Sequence, residues 1–156
     1  MSEAKTPTDP EQQPDDLRGL PSYLLTRISH RYMKAIRTEL KSVKLNTIAT
    51  RVIAALRVFP GLTVNDLCSH TISEQPTMSH ALDRLETDGL IFRKVHEDDS
   101  RIRQVYLTDK GHQMSEKVWP VILGMNNKMM QGISEEDRKT TLRTLSKMFD
   151  NVDQAR

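Results

Sequence analysis

Two short stretches of the sequence carry side chains suited to recognition by hydrogen bonds. Between residues 73 and 88, polar side chains recur on one side of a predicted helix, and glutamine, serine and histidine can each donate and accept hydrogen bonds. Further along, Asp99 and Arg101 stand two positions apart, where a carboxylate can hold a guanidinium through two parallel hydrogen bonds. Because both stretches offer hydrogen bonds rather than a nucleophile or a metal site, they indicate binding rather than catalysis.

The first stretch is predicted to be an amphipathic helix from Ser73 to Asp88. Its apolar residues fall at helical spacing and form one thin stripe, which consists of Met78, Ala81, Leu82 and Leu85. Ser73 is expected to cap the first turn, and Gly89 follows the last turn, where a residue with positive φ ends a helix at little cost. The side chains left for a partner are Gln75, Pro76, Thr77, Ser79, His80 and Arg84.

A second short helix and a hairpin are predicted on either side of this helix. The helix at Thr63–Ser69 is followed by a tight turn at His70–Ile72, and two short helices joined in this way form a helix-turn-helix. After it, Leu90–His96 and Ile102–Leu107 are apolar, β-prone runs around a polar segment, which predicts a β-hairpin. A helix-turn-helix followed at once by a hairpin is a winged helix.

The order and spacing of three motifs resemble the MarR family of bacterial transcription regulators. The motifs are Leu85-Glu86-x-x-Gly89-Leu90, Asp99-x-Arg101 and Leu107-Thr108-x-x-Gly111. The resemblance extends as an architecture over about residues 20–150. It implies a homodimer that binds double-stranded DNA at a pseudo-palindromic operator, and a repressor that is released by a small molecule, often an aromatic acid or a phenol.

The chemistry of the DNA grooves predicts how the side chains of the two stretches are used. A helix fits the major groove, where a glutamine such as Gln75 can bond adenine through two atoms. An arginine on a hairpin turn can enter the narrow minor groove, and the resemblance implies this role for Arg101, held by Asp99, with Arg103 beside them. Since the helix at 73–88 is itself acidic, phosphate attraction is expected from Arg51, Arg57, Arg93, Lys94, Arg101, Arg103 and Lys110.

The chain as a whole is predicted to form one mainly helical domain with a small β-hairpin wing. Residues 1–19 hold five acids and two bases, a net charge of −3, and are expected to be a disordered tail. The domain covers 20–152, with a winged helix-turn-helix core at 46–111. Helices at 20–43 and 112–152 carry apolar stripes that a chain of 156 residues leaves uncovered, so a two-fold homodimer is expected through them.

A ligand site is expected between the dimerising helices and the winged module, as the resemblance implies. Arg27 and His30, on the first predicted helix, are candidates to pair with a carboxylate or phenol, and Tyr23 is a candidate to line the pocket. A surface charge and a core histidine are the alternative interpretation of the same residues.

Composition excludes several classes of protein. No nucleophile elbow, phosphate-binding glycine loop or HExxH motif is present, so no enzyme, metal or cofactor is expected. No apolar run approaches the roughly 18 residues of a membrane span, and a single cysteine fits a cytoplasmic protein. The alternative to a DNA-binding regulator is a winged-helix adaptor that contacts proteins without specific DNA binding.

Overall fold

The computed structural model describes residues 16–153, which form six helices and a small sheet. The helices are α1 (Pro21–Glu39), α2 (Thr47–Val58), α3 (Val64–Thr71), α4 (Gln75–Thr87), α5 (Asp109–Met129) and α6 (Glu135–Asp153). The strands are β1 (Leu62–Thr63), β2 (Ile91–Val95) and β3 (Arg103–Leu107). The predicted fold class, mainly helical with a hairpin wing, is confirmed. None of the described helices is long and apolar enough to cross a membrane.

Helices α2, α3 and α4 pack around one apolar core. The predicted stripe of α4 is confirmed, since Met78, Leu82 and Leu85 are fully buried. The side chain of Asn46 accepts a hydrogen bond from the N–H of Ala49 at 2.8 Å, which caps the start of α2. The remaining buried members of the core are Ala49, Val52, Ile53, Leu56, Leu67, Leu90, Ile91, Val105 and Leu107.

The wing is an antiparallel sheet with the strand order β1-β3-β2. Strands β2 and β3 form the predicted hairpin, with Ile91 opposite Leu107 and Val95 opposite Arg103. The short strand β1, which pairs Leu62 with Val105, was not predicted, because two residues are too few to show a periodic pattern. This third strand ties the start of α3 to the wing.

Close contact between the wing and α5 explains the motif Leu107-Thr108-x-x-Gly111. The Thr108 hydroxyl accepts a hydrogen bond from the N–H of Gly111 at 3.0 Å and donates to the carbonyl of Gly89 at 2.6 Å. Any Cβ on Gly111 would collide with the carbonyl oxygen of Leu90. Glycine is therefore required where the first turn of α5 crosses the end of α4.

The terminal helices have a smaller core of their own. Helix α5 packs against both α1 and α2, and the buried residues of this second cluster are Ile36, Leu40 and Val118. Helix α6 buries none of its residues. Its apolar side chains remain exposed, among them Leu142, Leu145, Phe149 and Val152.

Several element boundaries differ from the predictions. Helix α1 ends at Glu39 rather than near Val43, because a 3-10 turn follows and Lys44 adopts positive φ before α2. At the other end of α1, residues 17–19 form a 3-10 turn capped by Asp16, so the predicted disordered tail is wrong for them. The rest of that prediction, residues 1–15, lies outside the described residues. Helix α3 extends to Thr71 rather than ending at Ser69, and α4 begins at Gln75 rather than at Ser73.

Candidate nucleic-acid interface

The outer face of α4 presents the side chains that the sequence singled out. Gln75, Pro76, Thr77, Ser79, His80 and Arg84 are all exposed. They lie on the outer face of α4 because the 3.6-residue period places Met78, Leu82 and Leu85 together on the opposite, buried face. The result is a row of hydrogen-bonding groups that a partner can reach without disturbing the core.

The beginning of α4 differs from the prediction. The N-cap position is Glu74 rather than Ser73, and no side chain caps it. Instead, the chain between α3 and α4 turns at Ile72, which adopts a left-handed conformation with an exposed side chain. Gln75, the first residue of α4, donates a hydrogen bond from Nε2 to Oδ1 of Asn65 on α3 at 2.5 Å. Sequence reasoning missed Asn65, since no local pattern relates residues ten positions apart.

The predicted ion pair is present at the tip of the wing. Oδ1 of Asp99 accepts hydrogen bonds from the backbone N–H of Arg101 at 2.9 Å and from its Nε at 3.1 Å, while Oδ2 accepts from Nη2 at 3.1 Å. The Arg101 guanidinium, and then its backbone N–H, lower the pKa of Asp99, and the carboxylate raises the pKa of Arg101. The hydrogen bonds to Asp99 fix the orientation of the Arg101 guanidinium. Because the Arg101 side chain remains 88% exposed, its charge stays accessible.

Arg103, at the start of β3, lies beside this pair. It is exposed, and its Nη1 donates to the carbonyl of Ser100 at 3.1 Å. The hydrogen bond turns the guanidinium toward the wing tip. Arg101 and Arg103 thus place two positive charges at the same end of the hairpin.

Arg93 connects the wing to α4. From β2, its guanidinium contacts Asp83 at 2.7 Å and Glu86 at 3.2 Å, both on α4. Arg93 was expected to attract phosphate, and the structure assigns its charge to these two carboxylates instead. The pairing also offsets part of the acidity of α4.

Four other cations from the expected phosphate contacts are held by acceptors within the chain. Arg57 contacts Glu116 at 2.6 Å, and Lys94 contacts Glu97 at 2.8 Å. Lys110 donates to the carbonyl of Asp88 at 2.7 Å, at the end of α4. Arg51 donates to the carbonyl of Thr71 at 2.8 Å. Arg101, with a side chain that is 88% exposed, is more accessible than Arg57 and Arg93, at 28% each, and than Lys94, at 54%.

A cavity of about 430 Å³ lies between α1, α2, α3 and α5. Its walls are largely apolar and include Ala54, Val58 and Ile122. One side carries Arg51 together with His70, whose ring stacks on Phe59 with the centroids 5.0 Å apart. An apolar cavity with a few convergent polar groups is the usual form of a small-molecule site.

Tyr32, on α1, is one of the residues that line this cavity. Its oxygen accepts a hydrogen bond from Asn126 Nδ2 at 3.2 Å. Burial raises the pKa of Tyr32, and the hydrogen bond from Asn126 offsets only part of that effect. The phenol therefore stays protonated at neutral pH.

The three predicted ligand residues do not all line one site. Tyr23 and Arg27 line a separate groove near the start of α1, where the Arg27 guanidinium lies 5.3 Å from the centroid of the Tyr23 ring. His30 is exposed and does not line that groove. Within residues 16–153, no group of three or more His, Cys, Asp or Glu residues is arranged to hold a metal ion.

Comparison with known proteins gives one consistent family. The family model described as the MarR family matches residues 44–102. A transcriptional regulator of the MarR family from Silicibacter pomeroyi has a crystal structure that is 36% identical, with a TM-score of 0.81, covering 88% of this chain and 92% of that chain. The HTH-type transcriptional repressor IacR of Pseudomonas putida is 25% identical over 93% of this chain and 87% of its own length. The crystal structure of an S. aureus MepR-DNA complex is 25% identical, with a TM-score of 0.77, covering 88% of this chain and 99% of that chain.

Proposed function

Because the chain belongs to the MarR family of transcriptional regulators, we propose that it is a repressor that binds a specific DNA sequence as a homodimer and is released by a small ligand. Members of this family are DNA-binding regulators and not enzymes, so the prediction of a non-enzymatic protein is confirmed. The observation that carries the proposal is the exposed polar face of α4 beside an accessible, oriented arginine at the wing tip.

Helix α4 is the element that enters the major groove. Its exposed hydrogen-bonding side chains can reach base edges, where each base pair presents a distinct pattern of donors and acceptors. Two such helices in a dimer require half-sites roughly 10 bp apart, since both must face the same side of the duplex. The MepR-DNA complex supports DNA binding through this fold.

The wing contributes an arginine to the minor groove. Asp99 fixes the Arg101 guanidinium, so less side-chain freedom is lost when the arginine inserts. A narrow minor groove at A·T-rich sequence has enhanced negative potential and favours this insertion. The wing therefore reads the shape of the groove rather than base identity.

The homodimer forms through residues 20–43 and 112–152. Helix α6 supports this assembly because Phe149 is 73% exposed and Leu142 is 65% exposed on a helix that buries nothing within its own chain. Apolar side chains at this spacing form one face, which a second copy of the same face can cover around a two-fold axis.

The ligand is an aromatic acid or a phenol bound in the cavity between α1, α2, α3 and α5. The apolar walls suit a ring, and the Arg51 guanidinium suits a carboxylate or phenolate. We prefer this cavity to the groove at Tyr23 and Arg27, because it lies between the dimerising helix α1 and α3 of the helix-turn-helix. A ligand there can shift the position of α4 only if it binds one arrangement more tightly than another.

The test of DNA binding is a salt titration on an operator selected from random DNA. Arg101→Ala should make the slope of log K against log salt shallower by about one for each wing, because one fewer counterion is released per wing. Arg143→Ala is the matched control, since Arg143 lies on the side of α6 opposite its apolar residues. An unchanged slope for Arg101→Ala, or the absence of any sequence preference in the wild type, would favour the protein-contact adaptor instead.

The ligand site is tested by release of DNA with a series of benzoates and phenols. Arg51→Gln should lose the response to a carboxylate that releases the wild type, because the cation facing the carboxylate is gone. Arg27→Gln should respond at the wild-type concentration. The reverse pattern would locate the site in the groove near the start of α1.

A further inference from the structure

The two helices of the helix-turn-helix are linked by one side-chain hydrogen bond on the exposed surface. Nε2 of Gln75, at the start of α4, donates to Oδ1 of Asn65 at 2.5 Å, near the start of α3. Both side chains are exposed, so the bond does not contribute to the core. Its position, on the side chain proposed to reach the bases, indicates a role in recognition.

Asn65 is a rigid anchor because the turn around it is fixed. Thr63 and Asp66 form a capping box, in which the N–H of Thr63 donates to Asp66 Oδ2 at 2.9 Å and the N–H of Asp66 donates to the Thr63 hydroxyl at 3.2 Å. Thr63 also pairs with Gln104 in the sheet. Only two side-chain torsions therefore separate the fixed backbone from the Asn65 oxygen.

The hydrogen bond selects one orientation of the Gln75 amide. A glutamine amide has one oxygen acceptor and two N–H donors. If the Gln75 amide alone were rotated by half a turn, its oxygen would face the Asn65 oxygen, and the two acceptors would repel each other; the reversed hydrogen bond would require the Asn65 amide to rotate as well. With one N–H used by Asn65, the oxygen and the second N–H remain available.

These two remaining groups match the edge of adenine. Adenine presents the N6 amino group as a donor and N7 as an acceptor in the major groove, and a glutamine reads them with its oxygen and one N–H. A free glutamine would have to adopt this orientation on binding, which costs side-chain freedom. In this chain, the amide is already oriented before DNA arrives.

We propose that Asn65 is a positioning residue that orients Gln75 to read an adenine in each half-site. The inference rests on the proposed function, in which α4 enters the major groove. Asn65 acts through Gln75, so its loss should change preference at the base pair that Gln75 contacts and at no other.

The experiment measures full-length protein against a set of operators in which each base pair is changed in turn, at one salt concentration. Gln75→Ala should reduce discrimination at one base pair per half-site by roughly 5- to 150-fold, the range for a bidentate contact. Asn65→Ala should lose most of the discrimination at that same base pair. The double variant should lose no more there than Gln75→Ala alone, because both substitutions remove one shared contact.

Asn65→Asp is the matched variant that separates positioning from direct contact. An aspartate oxygen still accepts from Gln75, so discrimination at that base pair should be retained. Its negative charge should weaken binding to all operators by a similar factor, because it repels phosphate.

Three outcomes would overturn the inference. They are an Asn65→Ala protein that keeps full discrimination while Gln75→Ala loses it, one that loses affinity equally for all operators, and one that changes preference at a different base pair. If neither the wild type nor any variant discriminated between operators, the proposed function itself would fail.

Discussion

The winged module, residues 46–111, and the helices α1, α5 and α6 differ in where their apolar side chains lie. The twelve buried residues of the larger core all fall between Ala49 and Leu107, and they come from α2, α3, α4, the turn after α4 and the wing. The smaller cluster has three buried residues, Ile36 on α1, Leu40 just after it and Val118 on α5, and α6 buries none. The largest exposed apolar side chains of α6 lie within a few turns of each other.

This difference shows which part of the fold is complete within one chain. The winged module encloses its own core and caps α2 and α3 with its own side chains, so its stability should be a property of the single chain. The terminal helices expose apolar area that water disfavours by about 25 cal/mol per Å². Under the proposed function, a second copy covers that area, and assembly then controls the spacing of the two α4 helices.

The largest expected effect follows from removing α6. A chain that ends at Ile133 should be monomeric and should lose operator binding by at least two orders of magnitude, because one module alone covers a single half-site. Analytical ultracentrifugation measures the assembly, and fluorescence anisotropy measures the affinity.

The circular dichroism of the shortened chain provides the control. Its unfolding should remain cooperative, because the core of the winged module contains no residue of α6. A shortened chain that is monomeric and still binds the operator tightly would contradict the link between assembly and recognition.

A matched pair of leucine substitutions contrasts the two regions directly. Leu82 is fully buried in the winged module, and Leu142 is 65% exposed on α6. Leu82→Ala should lower the free energy of unfolding by about 2–5 kcal/mol, the cost of a buried leucine lost from a core. Leu142→Ala should instead raise the dissociation constant of the dimer by about 10- to 150-fold, since burying a leucine is worth about 1.5–3 kcal/mol.

Thermal unfolding at two protein concentrations distinguishes these effects. The decrease in melting temperature of Leu82→Ala should appear at both concentrations, whereas the decrease for Leu142→Ala should be larger in the dilute sample. Equal behaviour of the two variants would mean that the two regions do not differ as the structure indicates.

The winged module was also the part that the sequence predicted best, because its signals are local. A buried stripe at helical spacing identified α4, and Gly89, with φ of +68°, identified the end of this helix. The pair of Asp99 and Arg101 was predictable for the same reason, since two residues within one turn need no tertiary contact to meet.

Features that depend on distant residues were not predictable. The pairing of Arg93 with Asp83 and Glu86 requires the wing to fold back against α4. The cavity combines residues from four helices, so residues chosen from the first helix alone did not identify it. Ser73 is a favourable capping residue, but the turn at Ile72 leads the chain into α4 one residue later.

The smallest expected effect concerns the cap of α3 and depends on pH. Hydrogen bonds from the Thr63 hydroxyl and then from its backbone N–H lower the pKa of Asp66 below its usual value of 3.8. A carboxyl with a lower pKa in the folded protein stabilises it fully above the unfolded pKa, and this contribution is lost as pH falls through the folded pKa. Asp66→Asn should therefore cost about 0.3–1 kcal/mol near neutral pH, the usual contribution of a negative charge in the first turn of a helix.

The difference in the free energy of unfolding between wild type and Asp66→Asn should be constant from pH 7 to about pH 5. It should shrink as the pH falls below the usual pKa of aspartate. Urea unfolding at a series of pH values measures it. In a Thr63→Val background the pH dependence should be smaller, because the hydroxyl that makes the largest contribution to the lowered pKa is absent. Since the cap lies within the self-contained module, the difference should not vary with protein concentration. A concentration dependence would show that the stability of α3 is coupled to assembly, and the contrast between the two regions would then be weaker than their packing indicates.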